Sequence, residues 1–585
     1  MVDAAASSSS MANHERPGAH TQRYDRQLRL WASSGQKSLE SAHVLCIGGS
    51  YLSACVLKNL VLPGIGAFTI LDGQNVTDFD VGNNFFIEPD SKGKSRAEEE
   101  IKTLCELNPS VKGYAIHEDP KEFVKRAKEA LASGTYSLVV ATNQAPDVLL
   151  PLSDTAWEAN VPLMAVRGAG LVGEVRVQVK ELGIIETHPE NTIDLRLTSP
   201  WPTLKTFARS FNIEPQDSME FSHIPFVVIL LRKLEEWKSS HGGALPVPSK
   251  DRKAFSDLIN AFRKRDNPDA ENIDEAVNAL GQHIWRPIAN TADDHVPHDV
   301  KTLFADDACE HISSKSTNFW ILIRALKSFV QASSTDSPPG GDGHLPLPGS
   351  LPDMKALSAT YIELQKLYKA KSSQDIAALK LHLAKVLAEA KLPDGVISDQ
   401  EIESFAKHAA YLHLVRGKSI RESLNSPAQE AIAMGFMDPI NPVTIPQHIS
   451  LLTADEFYTK RGGRFPGSSV AFTRSITGAS LGDLKEVEED VVKMKRESAD
   501  EADMISDSAE VCDRLGVKDD EEREMVFDAC KEFARSGHGD LPSTAAFLGG
   551  VAAQEIIKIT TRQYIPLNNT AVYDGIKQTI GIFKF

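Results

Sequence analysis

The chain has 585 residues, 42% of them hydrophobic and 24% charged, and a formal net charge of −17. That length calls for about two to four domains rather than one core. The acidic balance argues against nucleic acid as the main partner, because phosphate binding needs clustered Lys and Arg. The longest aliphatic stretch, "FVVILL" at 226–231, is too short to span a bilayer. The leading "MVDAAASSSSMANHERPGAH" lacks a basic segment followed by an apolar run, so residues 1–20 read as a disordered tail and not as a signal peptide. Few cysteines in a long chain fit a reducing compartment, and the expectation is a cytoplasmic or nuclear protein with no membrane partner. None of the six cysteines forms a CxxC pair and the 17 histidines show no ligand spacing, so no metal site is expected.

In chain order, "HVLCIG" (43–48) is a short β-rich run and "LSACVLKNLVL" (52–62) has helical spacing. "AFTILD" (67–72) follows the turn "PGIG" as a second strand, and "SRAEEEIKTLCEL" (95–107) is an amphipathic helix with Ile101, Leu104 and Leu107 on one side. "YSLVVAT" (136–142) and "VPLMAVR" (161–167) are further strands, and "LVGEVRVQV" (171–179) alternates as an antiparallel strand does. Strands alternating with helices predict an α/β, mostly parallel, doubly wound sheet. From about 190 the character changes: 224–237, 318–331 and 375–390 have helical periods, with Ile376, Leu379, Leu383 and Val386 sharing one face. "ASSTDSPPGGDGHLPLPGS" (332–350) reads as a long loop. The segment 481–504 reads as a charged helix with a solvated face, and "KRGGRFPG" (460–467) as a turn. The end returns to α/β character: "STAAFLGGVAAQEIIKITTRQY" (543–564) carries small residues that permit close helix packing, and "TAVYDGIKQTIGIFKF" (570–585) reads as strand, turn, strand. The expected organisation is thus a tail (1–20), the first part of a Rossmann-like domain (21–185), a mostly helical insertion (186–520) and a C-terminal completion of the sheet domain (521–585).

The first strand–helix turn is Gly48-Gly49-Ser50-Tyr51-Leu52-Ser53. A nucleotide site needs glycines there, so that backbone N–H groups and the helix N-terminus can approach phosphate. Gly48 fits that pattern, whereas Ser50 and Ser53 stand where glycines are wanted and the bulky Tyr51 opposes close approach. Asp72, at the end of the second strand, lies near the offset of roughly 20 residues expected of a ribose-binding acid. The residues alone favour a sheet whose nucleotide site has decayed.

Several motifs in one order carry a resemblance: "RYDRQLRLWASSGQKSLESAHVLCIGG", "LKNLVLPGIGAFTILDG", "GNNFF", "GKSRAE", "LVGEVRV", "FWILIRALK" and "AAFLGGVAAQEIIKI". Together they resemble the ubiquitin-activating enzyme family, ThiF/MoeB-like in fold. Within it they are similar to the regulatory, adenylation-inactive subunits of the heterodimeric neddylation-activating enzymes. The resemblance implies a catalytic partner subunit that binds ATP and magnesium, adenylates a Nedd/Rub ubiquitin-like protein, takes it as a thioester and presents it to a conjugating enzyme. It also implies which positions have changed in this chain. The family's glycines fall on Gly48, Ser50, Tyr51 and Ser53, and its two acids after the second strand on Asp72 and Gln74. Its phosphate arginine falls on Asn83, its catalytic lysine on Arg96, and its magnesium acid on Asn143. No cysteine has the family's Pro-x-Cys-Thr context. Cys309 in "DDACEH" is the one in the helical region expected to be exposed, and its acidic neighbours would raise its pKa. This chain is therefore expected to hold no cofactor and no catalytic residue of its own. Arg26 in "YDRQL" matches the arginine that crosses to the partner's ATP site, with Arg23 and Arg29 beside it. The equivalent subunit of a SUMO-activating enzyme, which is shorter in the family, and a pure adaptor with no role in activation are the alternative readings.

Overall fold

A computed structural model describes residues 18–190, 192–215, 217–263, 269–289, 295–439, 442–467, 486–537 and 539–585. The chain forms two compact units. One comprises the segments up to Leu182 and from Val415 to Phe585, and the other spans Gly183–Leu414. This division differs from the expected 186–520 insertion, because the helices after Val415 share a core with the sheet. The expected N-terminal tail lies outside the described residues up to residue 17, and Ala19–Arg23 is already helical.

The first unit is built on eight strands of one sheet: β1 (His43–Ile47), β2 (Ala67–Leu71), β3 (Lys112–Ile116), β4 (Leu138–Thr142), β5 (Leu163–Ala169), β6 (Val172–Gln178), and the C-terminal Thr570–Asp574 and Thr579–Phe583. β1 pairs in parallel with β2 and β4, β2 with β3, and β4 with β5, which gives the doubly wound half. β6 then runs antiparallel to β5, Thr570–Asp574 antiparallel to β6, and Thr579–Phe583 antiparallel to Thr570–Asp574. β1, β2 and β4 are almost wholly buried and read as continuous apolar runs, as strands covered on both faces do. β3 has an exposed, polar pattern and lies at the sheet edge.

The helix Tyr51–Val61 follows β1 and packs against the C-terminal helix Pro542–Thr561. Their approach is so close that a Cβ added at Gly549 would meet Cys55 Cβ at 2.7 Å. Ala545, Ala552 and Ala553 are buried in the same helix, while Ala546 is exposed. The amphipathic helix is Arg96–Leu107; it buries Leu104, but Leu107 is exposed. A further core of this unit gathers Ile445, Ile449 and Phe457 of the helix Thr444–Lys460 with Val511, Cys512, Val526 and Phe533. The acidic helix is Glu486–Leu515; of the segment read as charged and solvated, the side chains before residue 499 lie outside the described ones, Ala499 and Ala502 are exposed and Asp500 is buried, as is Asp507 further along the helix. The "KRGGRFPG" turn supplies their partners. Arg464 holds Asp500 through two 2.6 Å bonds, and Lys460 and Arg461 bind Asp507. Residues 481–485 of that expected helix lie outside the described residues.

The second unit is mostly helical, with cores built on Phe226–Ser240, Asn318–Gln331 and Ser358–Glu389. Leu379, Leu383 and Val386 are buried together, as their spacing predicts. The 332–350 segment has no helix or strand, yet Leu345 and Leu347 from it are buried. No helix among the described residues is long and apolar enough to cross a membrane.

Gly549→Val should overpack the contact with Cys55 and lower stability by about 1–3 kcal/mol, measured by urea denaturation of the full chain. An unchanged midpoint would mean that the two helices are not tightly apposed.

Candidate functional site

The turn after β1 keeps the backbone shape of a phosphate loop. Gly48 has φ +101°, a conformation that favours glycine, and the helix Tyr51–Val61 begins directly behind it. What differs is who uses the N–H groups. Gly49 N–H donates to Asp72 Oδ2. Ser50 and Ser53 form a capping box, with Ser50 N–H donating to Ser53 Oγ at 2.7 Å and Ser53 N–H to Ser50 Oγ at 3.4 Å. Leu52 N–H donates to Asp540 Oδ2 at 3.2 Å. Above Gly48, the Gln144 side chain donates to the carbonyls of Thr142 and Ile47, and a Cβ at Gly48 would meet its amide nitrogen at 2.7 Å.

Arg96 opens its helix at the next β–helix connection and turns its guanidinium back toward the turn. Its Nη2 donates to Asp72 Oδ2 at 2.6 Å and its Nη1 to Asp80 Oδ1 at 3.1 Å. Burial would lower the Arg96 pKa, but the facing carboxylates of Asp72 and Asp80 outweigh it and push it up. Gln74, beside them, donates its N–H to Asp72 Oδ1 at 2.6 Å and accepts from Arg96 N–H at 3.1 Å. Glu100 lies fully buried behind this group. Burial drives its pKa well up; the Arg96 charge opposes the rise, and the charges of Asp72 and Asp80 add to it. Its Oε1 accepts from Asn84 at 2.8 Å, and its Oε2 has no partner among the described residues.

Most of the positions singled out in the sequence therefore meet at one place: Gly48, Ser50, Tyr51, Ser53, Asp72, Gln74 and Arg96 at or beside the turn, with Asn83 donating to the Asp540 carbonyl at 2.8 Å. Tyr51 is buried edge-on against Phe85, and burial pushes its phenol up to about 12. Asn143 is turned elsewhere: at φ +51° after β4, its Oδ1 accepts from Gly168 N–H at 2.8 Å. Sequence reasoning missed Asp80, Glu100 and Asp540. Asp540 had no local signal, since it reaches Leu52 from 488 positions away.

Cys309, expected to be exposed, is buried. Burial more than its acidic neighbours raises its thiol to about 11, and Lys327 and Arg324 offset part of the rise. Cys46, Cys55, Cys512 and Cys530 are buried too, and Cys105 is half-buried; burial raises every one of these thiols. The thiolate is the nucleophile, so none is poised to accept an acyl group. Among the described residues, no group of three or more His, Cys, Asp or Glu could hold a metal ion.

The segment "YDRQLRLW" forms the start of the helix Asp25–Ser41, which is kinked at Trp31 and Ala32. Tyr24 and Trp31 anchor its two ends. Tyr24 OH accepts from Asn108 at 2.9 Å, and Trp31 donates to Gln36 Oε1 at 3.1 Å while its carbonyl accepts from Gln563 at 3.0 Å. Arg23 donates to Asn108 Oδ1 at 2.7 Å, and Arg29 pairs with Asp25 at 3.1 Å. Arg26, between them, is exposed and makes no hydrogen bond or ion pair among the described residues. Leu30, nearby, is 49% exposed.

Fold and site together define an adenylation-type α/β chain whose own nucleotide turn is filled by its own side chains. The sequence matches the ThiF family over residues 24–585. It is 36% identical over 582 residues to a NEDD8-activating enzyme E1 regulatory subunit of Gallus gallus, covering 98% of this chain and 100% of that protein. It is 33% identical over 560 residues to the Nedd8-activating enzyme E1 regulatory subunit of Drosophila melanogaster, covering 95% of this chain and 96% of that one. With the NEDD8-activating enzyme E1 regulatory subunit AXR1 of Arabidopsis thaliana it shares 32% identity over 567 residues, 96% of each. The chain belongs to the ThiF family and, within it, to the regulatory subunits of the NEDD8-activating enzyme E1.

Arg96→Met should leave Asp72 and Asp80 buried without their cation and cost about 3–5 kcal/mol in chemical denaturation; a loss below 1 kcal/mol would mean the cluster is open to water. Iodoacetamide at neutral pH should modify the native chain slowly, with Cys105 first. Fast alkylation of Cys309 would contradict its burial.

Proposed function

We infer that this chain is the adenylation-inactive subunit of a heterodimeric NEDD8-activating enzyme, and that it acts in the complex and not alone. The partner subunit binds ATP and magnesium, carries the transfer cysteine, receives the Nedd/Rub ubiquitin-like protein and passes it to a conjugating enzyme. Similarity over nearly the full length to relatives named regulatory subunits supports the assignment, and argues for the NEDD8 pathway over the SUMO pathway. The state of this chain's own turn supports its inactivity: the N–H groups of Gly49, Ser50, Leu52 and Ser53 are all engaged by side chains, and no thiol is activated.

One observation carries the positive role. Three arginines lie on "RYDRQLR". Arg23 and Arg29 are used within the chain, whereas Arg26 is exposed and has no hydrogen bond or ion pair among the described residues, on a segment fixed at both ends by buried aromatics. An exposed guanidinium on a backbone segment anchored at both ends suits charge stabilisation on phosphates supplied by another chain, because the segment is already in place and no internal ion pair has to be broken. Arg26 is therefore assigned to the partner's ATP site. This favours a working regulatory subunit over a pure adaptor.

ATP–pyrophosphate exchange tests the reading. The chain alone should give none. In the complex, Arg26→Ala should lower exchange at limiting ATP by about 10²-fold, while the fold changes by no more than about 0.5 kcal/mol, as expected of an exposed side chain. Unchanged exchange would refute the role in trans, and exchange by the chain alone would refute its inactivity.

A further inference from the structure

Successive side chains of a strand face opposite layers, and β6 shows both. A Cβ at Gly173 would meet the Leu548 side chain of the helix Pro542–Thr561, so Gly173 faces that helix. Glu174 and Arg176 therefore face the other layer, where the helix Thr444–Lys460 brings His448 to Glu174 at 2.8 Å. Between this face of β6, that helix and the helix Pro146–Ala159 lies a cavity of about 540 Å³, wholly within the first unit. Small-molecule sites are of this size, roughly 300–1,000 Å³, and combine an apolar wall with a few converging polar groups. Leu149, Leu424, Leu452 and Phe585 supply the wall here. Arg514, on the rim, is half exposed and pairs with Glu456 at 3.3 Å, so the cavity reaches the surface there.

The fold does not use up the polar groups of this cavity. Burial would raise the Glu174 carboxyl, but Arg176 and His448 outweigh it and hold its pKa down at about 2. Burial lowers the His448 pKa against the pull of Glu174, so the ring is neutral. An ionised carboxylate only accepts, so the Nδ1 facing it carries the ring's proton and Nε2 is a bare acceptor. His448 is 3% exposed, and its Nε2 has no hydrogen bond among the described residues; its ring stacks on Phe585 at 4.3 Å. The Arg176 side chain is 11% exposed. Its Nε donates to Glu174 Oε1 at 2.9 Å, while Nη1 and Nη2 have no hydrogen bond among the described residues. Asp455, the acid on the same wall, is already paired with Arg167 at 2.7 Å. Buried donors and acceptors left open cost free energy unless something meets them. A water can meet either group alone, but the planar Nη1–Nη2 edge matches the two oxygens of a carboxylate.

We propose that this cavity binds a small organic carboxylate with an apolar body. The carboxylate takes the Nη1–Nη2 edge of Arg176, a hydroxyl or N–H beside it donates to His448 Nε2, and the apolar body lies along Phe585 and the leucines. Arg176 and His448 hold the same Glu174 oxygen, Oε1, which sets the two open groups side by side. The site uses neither the nucleotide turn nor Arg26, so it stands apart from the proposed function.

The test titrates the full chain with phenyllactate, which carries all three features, and reads binding by equilibrium dialysis. Two analogues separate the contacts: phenylpropionate lacks the hydroxyl, and phenylpropanol lacks the carboxylate. Phenyllactate should bind saturably, one per chain, with a sub-millimolar dissociation constant. Phenylpropionate should bind about threefold more weakly, the loss of one neutral hydrogen bond, and phenylpropanol at least about tenfold more weakly, the loss of a charged one. Arg176→Lys keeps a cation for Glu174 but not the fork, and should weaken phenyllactate at least about tenfold while leaving phenylpropanol unchanged. Leu149→Trp fills the cavity from its half-buried wall and touches none of the ion pairs; it should abolish binding of all three compounds. Absence of saturable phenyllactate binding to wild type, phenylpropanol binding as tight as that of phenyllactate, or undiminished phenyllactate binding by folded Leu149→Trp would each overturn the proposal.

Discussion

The structure of the site depends on one buried ion cluster: the Arg96 guanidinium held between Asp72 and Asp80, with the Gly49 N–H on the same Asp72 carboxylate. In an open nucleotide site these groups would face a ligand. Here they face one another. Two buried acids without their cation would be several kcal/mol out of balance, so Arg96 cannot leave to meet a phosphate without exposing that debt. Lys for Arg would be no equivalent, because the planar guanidinium spans both carboxylates at once where an ammonium is a single point. The cluster also binds the local geography together, since it joins the end of β2, the short helix Asp78–Asn83 and the start of the helix Arg96–Leu107.

Closure of the site explains the division of labour in the first unit. The sheet, the turn helix and the C-terminal helix keep the ThiF-family architecture, and the close contact at Gly549 packs the two helices tightly. Tyr24 and Trp31, seven positions apart and both buried, hold the intervening residues at the surface, and Arg26 there has no hydrogen bond or ion pair among the described residues.

Much of this was legible before the structure. The buried strands β1, β2, β4 and β5 announce themselves as apolar runs, and β6 by alternation, because each faces a packed layer on at least one side. β3 ("KGYAI") was invisible for the converse reason: an edge strand with exposed side chains has no apolar pattern. The small residues of "AAFLGGVAAQE" correctly signalled close packing, though Ala546 points away from it. The degenerate positions could be read one by one, but not the way they bond, since Arg96 reads as a lost lysine and is in fact the cation that closes the site. Charge deceived twice. Acidic "ESADEADM" reads as solvated, yet Asp500 within it is buried against Arg464. Acidic "DDACEH" reads as exposed, yet Cys309 is buried. Asp540 illustrates the limit of local reading, because a contact across 488 positions leaves no trace in spacing.

The central claim is that the assembled enzyme has one nucleotide site and that this chain contributes to it only from outside. The most direct measurement is the number of ATP molecules bound per pair of subunits, by equilibrium dialysis of the purified complex with magnesium and saturating ATP, in the absence of the ubiquitin-like protein. One ATP per pair is the predicted result. Two per pair would place a working nucleotide site in this chain and contradict the account.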